Sequence, residues 1–171
     1  MVARLDVIKD HRTVIRAVAL ASASRGDLVV DFAGGGSLLG ELERQSVSEG
    51  VSGRIRFLGP RPVAPLLAGW DIYIHSTTKA EGMGTAVAEA MLAGLPCVVT
   101  DVPVMREVCG PDGAIFVAPG DARGLADALL SLASDRQRRK ELGEAARLRA
   151  RRLFGLSQIA SSYVQALGHR S

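Results

Sequence analysis

A chain of 171 residues that is 47% hydrophobic and 23% charged has ordinary globular composition, which argues against disorder and fits one domain over residues 1–171. The net charge is only +3, no nucleic-acid partner is expected, and Gly, Pro or Glu breaks every apolar run before it reaches the roughly 18 residues of a membrane span. Arg4, Asp6 and Lys9 stand where a signal peptide needs an apolar stretch, so a cytoplasmic location is expected.

In chain order, Met1-Val2-Ala3 reads as the end of a strand, followed by the polar loop from Arg4 to Asp10. A stub with no preceding turn is what a reading frame or truncation beginning inside a first strand would leave. Apolar, β-rich runs then alternate with helical patterns, with strands expected at 28–33, 54–58, 71–75, 96–100 and 114–117. The intervening helices fall at 10–24, 37–49, 63–68, 85–93 and 104–109, and three more at 122–133, 135–153 and 157–167 close the chain. Gly94 and Pro96 stop one helix, and Asp121 can cap another after the Pro119-Gly120 turn. This alternation predicts an α/β fold, a doubly wound, mostly parallel Rossmann-like sheet with helices on both faces.

Cys97 and Cys109 lie in no metal-ligand spacing and read as reduced structural thiols. His11, His75 and His169 share no metal spacing, and no nucleophile motif such as GxSxG occurs. No metal site is expected. Between Asp135 and Arg152 eight cations face three acids, a charge run that reads as a solvated helical face or, alternatively, as a contact for an acidic membrane surface or partner.

The chemistry concentrates in three places. From Met83 to Thr100 the single charge is Glu89, set among residues expected to pack on the sheet. An ionised carboxylate there would cost several kcal/mol unless paired, hydrogen-bonded or at a wet edge, so Glu89 either ties down a neighbouring backbone or Arg or faces a ligand crevice and accepts hydrogen bonds from ligand hydroxyls. Gly82 and Gly84 flank the start of the same helix and leave its free N–H groups open to a phosphate, although glycines there serve tight turns equally well. Arg4 and Lys9 bracket the first loop, either as a diphosphate-binding pair or as solvated cations beside Asp6 and Asp10. The Gly34-Gly35-Gly36 loop invites a dinucleotide reading, but Leu39 stands where the third glycine belongs, and Arg54 and Arg56 stand where a ribose-binding acid would be needed.

Taken in order, Arg4-x4-Lys9, Val29 to Gly36, Arg56-Phe57-Leu58-Gly59, Asp71 to Ile74, Glu81-Gly82-Met83-Gly84 through Glu89-Ala90-Met91, Gly94-Leu95-Pro96, Glu107-Val108 and Pro119-Gly120-Asp121 resemble the C-terminal domain of family 4 (group 1) glycosyltransferases. Glu81 and Glu89 match that family's E-x7-E motif. The resemblance implies a two-domain GT-B enzyme of hexosyltransferase type, moving a sugar from a nucleotide diphosphate sugar to an acceptor with retention and without a metal cofactor. It implies that Arg4 and Lys9 bind the diphosphate and stabilise the leaving group, and that Glu81 holds a hydroxyl of the donor sugar. It further implies that Glu89 holds the ribose, that the backbone from Gly82 through Met83 and Gly84 to Thr85 holds sugar and phosphate, and that the base lies near Gly59 to Arg61.

Met83 departs from the usual Phe and His75 from a common Pro, which bears on donor identity. An N-terminal acceptor domain is expected as partner, the chain alone is expected to be inactive in transfer, and peripheral contact with the inner face of an acidic membrane is a further expected partner. The alternatives are half of a non-hydrolysing nucleotide-sugar epimerase and a non-catalytic nucleotide-binding or regulatory module.

Overall fold

The computed structural model describes residues 1–78 and 84–154. Seven α-helices and five strands are arranged among them, with a short 3-10 turn at Ser52–Arg54: α1 (His11–Ser22), β1 (Val30–Ala33), α2 (Leu39–Ser48), β2 (Ile55–Gly59), α3 (Val63–Gly69), β3 (Tyr73–His75), α4 (Thr85–Leu92), β4 (Cys97–Thr100), α5 (Pro103–Cys109), β5 (Ile115–Val117), α6 (Ala122–Ser134) and α7 (Arg136–Phe154). Each observed element lies within two residues of its expected bounds at either end. The helix expected at 157–167 lies outside the described residues.

Every strand pairing is parallel: β1 pairs with β2, and β4 lies between β3 and β5. Met1 to Ala3 bridge the other edge of β1, Ala3 N–H donating to the Ala33 carbonyl and Ala33 N–H to the Met1 carbonyl, each at 3.0 Å. The opening residues thus pair with β1 through a single parallel bridge, Val2 with Ala33, and do not form a full strand among the described residues.

Side-chain alternation divides the interior into two layers. Phe32, Ile74 and Val98 point to one face and join Val14, Ile15 and Val18 of α1 and Leu125, Leu129 and Leu132 of α6. Tyr73, Cys97 and Val99, one residue out of phase, point to the other face and meet Val87 and Met91 of α4, Met105 and Val108 of α5, and Ala146 and Ala150 of α7. Helices cover both faces, as the doubly wound reading requires. Each fully buried Val, Leu or Ile contributes about 1.5–3 kcal/mol of hydrophobic stabilisation. Small residues let α7 close on the turn after α4, since a Cβ on Gly143 would lie 2.2 Å from the Gly94 carbonyl oxygen.

Caps fix where the first and sixth helices begin. Asp10 accepts from the Thr13 N–H at 3.2 Å and Asp121 from the Gly124 N–H at 2.8 Å. Asp31, in the middle of β1, is a buried carboxylate clasped by Arg56 of β2 at 2.5 and 2.9 Å and by the Trp70 indole N–H at 2.8 Å. Burial works to raise its pKa, but these donors outweigh burial and hold it below the usual carboxylate range. Arg54 is likewise spent on structure, donating to the Gly26 carbonyl.

Both thiols are buried. Desolvation raises Cys97 well above its ordinary value and pushes Cys109 up to about 12, with Arg149 opposing, so both stay protonated and inert.

Candidate functional site

The loop between Ala3 and α1 is organised by Asp6. Its Oδ1 accepts from the N–H groups of Ile8 at 3.1 Å and Lys9 at 3.2 Å, while Oδ2 lies 3.0 Å from Arg4 Nη2. An aspartate that binds backbone two and three residues ahead sets a tight turn. The side chain of Arg4 is 77% exposed, so its pairing with Asp6 leaves most of the guanidinium open to solvent. The solvated-cation and anion-binding readings of Arg4 are thus compatible: it is surface-exposed and held at the edge of the sheet. Asp10 is occupied separately as the cap of α1.

This loop is fastened to the segment after β3. The Thr77 hydroxyl donates to the Ile8 carbonyl at 3.0 Å and the Thr78 N–H donates to the same oxygen at 2.9 Å. The Thr77 N–H in turn donates to Thr100 Oγ1, at 3.0 Å, at the end of β4. Residues 4–9 and 77–78 are thereby drawn together at the carboxyl edge of the parallel strands, the edge where open α/β sheets bind ligands.

From the same edge α4 starts at Thr85. Gly84 caps it in a left-handed conformation, φ 62°, and a Cβ there would come within 2.8 Å of Met105 Cε. The Gly84 carbonyl accepts from Val87 and Ala88, while Thr85 is exposed at the first turn. Glu81, Gly82 and Met83 lie outside the described residues.

Of the options for Glu89, the structure shows the wet edge: it lies on the exposed side of α4 while Val87, Ala88, Ala90 and Met91 face inward. No desolvation cost arises, because one helical turn supplies both a buried stripe and a wet one. Among the described residues, no hydrogen bond or ion pair holds its carboxylate, so the tie-down reading has no observed partner. Gly59 ends β2 with φ 67°, and exposed Arg61 turns its guanidinium back to the Leu58 carbonyl at 2.8 Å.

The Gly34-Gly35-Gly36 loop has a structural occupation. A Cβ on Gly34 would sit 2.0 Å from the Ala3 carbonyl oxygen, and one on Gly36 2.3 Å from that of Leu5. These glycines let the Arg4–Lys9 loop pass over the end of β1, with Leu5 N–H donating to the Gly35 carbonyl at 3.0 Å. The expected dinucleotide mismatch thus has a physical account.

Within the basic run of α7, Arg139 is spent on the Leu132 and Ala133 carbonyls at the end of α6, and Arg149 on the Glu107 and Val108 carbonyls of α5. Arg136, Arg138, Lys140, Arg147, Arg151 and Arg152 are exposed. Among the described residues, no group of three or more His, Cys, Asp or Glu is gathered closely enough to hold a metal ion, and no helix is long and apolar enough to cross a membrane. Sequence reasoning missed Asp6, Thr77 and Thr100. The Asx-turn spacing of Asp6 was a usable signal, whereas the threonine contacts join segments about 70 and 23 residues apart.

Known proteins share this architecture. The UDP- and glucose-bound crystal structure of HepE from Anabaena superposes with a TM-score of 0.89 at 24% identity, over 98% of this chain and 47% of that one. The catalytic domain of cholesterol-α-glucosyltransferase from Helicobacter pylori gives a TM-score of 0.77 at 22% identity, over 88% of this chain and 94% of that one. Among curated relatives, D-inositol 3-phosphate glycosyltransferase of Corynebacterium jeikeium is 35% identical over 158 residues, covering 85% of this chain and 37% of the relative. N-acetyl-α-D-glucosaminyl L-malate synthase of Bacillus anthracis is 34% identical over 115 residues, covering 66% of this chain and 30% of the relative. The chain thus spans less than half the length of these curated relatives. Residues 1–149 match the family described as glycosyl transferases group 1, and the chain belongs to that family.

Proposed function

We propose that this chain is the donor-binding half of a retaining hexosyltransferase, taking a nucleotide diphosphate sugar at the carboxyl edge of its sheet. The observation that carries this reading is the meeting of the Asp6-ordered Arg4–Lys9 loop with the segment entering α4, in a family whose structural neighbours include UDP complexes. Arg4 and Lys9 neutralise the diphosphate, and its negative charge is further favoured by the N-terminal dipole of α4. The charge on the departing diphosphate grows in the transition state, so cations fixed beforehand stabilise that state more than the ground state. No metal is required in this scheme.

Glu89, exposed and uncommitted, accepts from the ribose hydroxyls. Glu81 contacts the donor sugar, the backbone from Gly82 to Thr85 cradles sugar and phosphate, and the base rests near Gly59 and Arg61. Transfer itself needs an acceptor held in reactive geometry, a contribution of about 7–11 kcal/mol, which we assign to an N-terminal acceptor domain. The exposed cations Arg147, Arg151 and Arg152 suit contact with an acidic membrane surface.

Calorimetric titration with UDP, GDP and ADP and their sugars tests the donor reading. Saturable binding of one diphosphate is expected, and absence of binding to all of them overturns it. Retention is read from the anomeric configuration of the product by NMR once an acceptor domain is supplied, and an inverted product would refute it.

A further inference from the structure

We propose that Thr77 is a positioning residue for the donor diphosphate: through the Ile8 carbonyl it locks the Arg4–Lys9 loop to the segment that leads into α4. This rests on the donor-site reading above and adds to it a residue that need not touch the ligand.

Thr77 is completely buried and joins three segments. Its hydroxyl donates to the Ile8 carbonyl at 3.0 Å, and its N–H is accepted by Thr100 Oγ1 at 3.0 Å. Thr100 is itself buried at the end of β4, its hydroxyl 3.4 Å from the His75 carbonyl. Ile8 directly precedes Lys9, and its own N–H is held by Asp6, the partner of Arg4. A continuous path of hydrogen bonds therefore runs from β4 through Thr77 and Ile8 to Asp6 and Arg4. Leu5 buries the start of the loop beside Arg4, but its tip is exposed, with Val7 70% and Ile8 39% exposed, so at the Ile8–Lys9 end these polar ties, not apolar packing, hold the loop in place. Ordering a loop before the ligand arrives removes an entropic cost from binding.

Thr77→Val keeps shape and backbone N–H but deletes the hydroxyl. The Ile8 carbonyl still accepts from Thr78 N–H, so that oxygen keeps a partner. The expected result is about three- to tenfold weaker binding of whichever of UDP, GDP and ADP the wild type prefers. Affinity for the matching nucleoside monophosphate should fall less, and Thr77→Ser should restore the diphosphate affinity. A general packing defect would weaken both ligands alike and would not be rescued by the hydroxyl.

Wild-type binding with an unchanged Thr77→Val affinity, or an equal loss for both ligands, overturns the positioning role and leaves the donor site standing. No binding by the wild type removes the donor site and this role together. If Thr77→Val fails to fold, hydrogen exchange on the wild type decides: saturating diphosphate should slow exchange of the Thr78 amide, and an unchanged rate overturns the proposal.

Discussion

Asp6 Oδ2 lies 3.0 Å from Arg4 Nη2 while Asp6 Oδ1 accepts the backbone N–H of Lys9, so one carboxylate aligns both cations of the first loop. It also competes with any anion for Arg4. Asp6→Asn retains an oxygen for the backbone and removes the competing charge, so diphosphate affinity is expected to stay equal or rise up to about threefold, because an exposed ion pair is worth only about 0–1 kcal/mol. Asp6→Ala removes the turn as well, and affinity should fall. Equal losses in both variants, measured by calorimetry, would show that the charge itself is needed.

Replacing Arg4 and Lys9 together by Ala should weaken diphosphate binding by about 2 kcal/mol, roughly thirtyfold. Arg4 is largely solvated, so the effect should shrink as salt rises. Affinity that is unaltered at low salt would move the phosphate site elsewhere.

Glu89 is exposed on α4, so Glu89→Gln is expected to change stability by less than about 0.5 kcal/mol. A ribose contact through the carboxylate predicts nucleotide binding weaker by about 1 kcal/mol, roughly fivefold. Thermal melts and titrations on the same sample separate the two. A marked change in melting temperature with constant affinity would assign Glu89 a structural role instead.

The fold was legible because its signals are local. Period-two alternation in Tyr73-Ile74 and Cys97-Val98-Val99 assigns opposite faces, and Asp10 and Asp121 cap the helices that follow them. At Glu89 local signals left a paired and a wet carboxylate both open, and the turn of α4, which points its apolar sequence neighbours inward, leaves it wet. Local signals failed for Asp31, whose partners Arg56 and Trp70 lie 25 and 39 residues away, and for Thr77, whose partner Ile8 lies 69 away. Such pairings depend on strand order, which a window of sequence does not contain.

The glycine loop after β1 gives a test of the same distinction. Gly34 has φ 147°, and a Cβ would meet the Ala3 carbonyl oxygen at 2.0 Å, so Gly34→Ala must displace backbone and not a flexible side chain. The expected cost is about 2 kcal/mol or more in urea unfolding, with looser binding of diphosphate because residues 3–5 move. Full stability would mean that the loop tolerates a side chain and that its glycines serve a ligand.

His11 sets the expected pH dependence of stability. It is the first residue of α1, 1% exposed, with its ring edge-on to Phe32 at 4.8 Å. Burial lowers its pKa to about 4, against weaker opposing effects of the Lys9 carbonyl and of Asp6 and Asp10. A free histidine titrates near 6.5, so the unfolded chain takes up this proton first as pH falls. The stabilising contribution of neutral His11 is therefore fully present above about pH 6.5, declines as pH drops toward 4, and is lost below it. Its full extent is roughly 3 kcal/mol, and a cation at a helix N-terminus is further disfavoured by the dipole. Asp31 acts in the same direction only below the ordinary aspartate range, whereas the buried Met1 amino group, which desolvation lowers from 8.0 to about 5, loses its contribution over much of the same window as the histidine, so the His11→Leu comparison is what isolates the His11 share. Across pH 4.5–7, urea unfolding of the wild type should show about 2–3 kcal/mol more loss than His11→Leu. Parallel stability curves for the two proteins would mean that His11 takes up its proton within the fold without penalty.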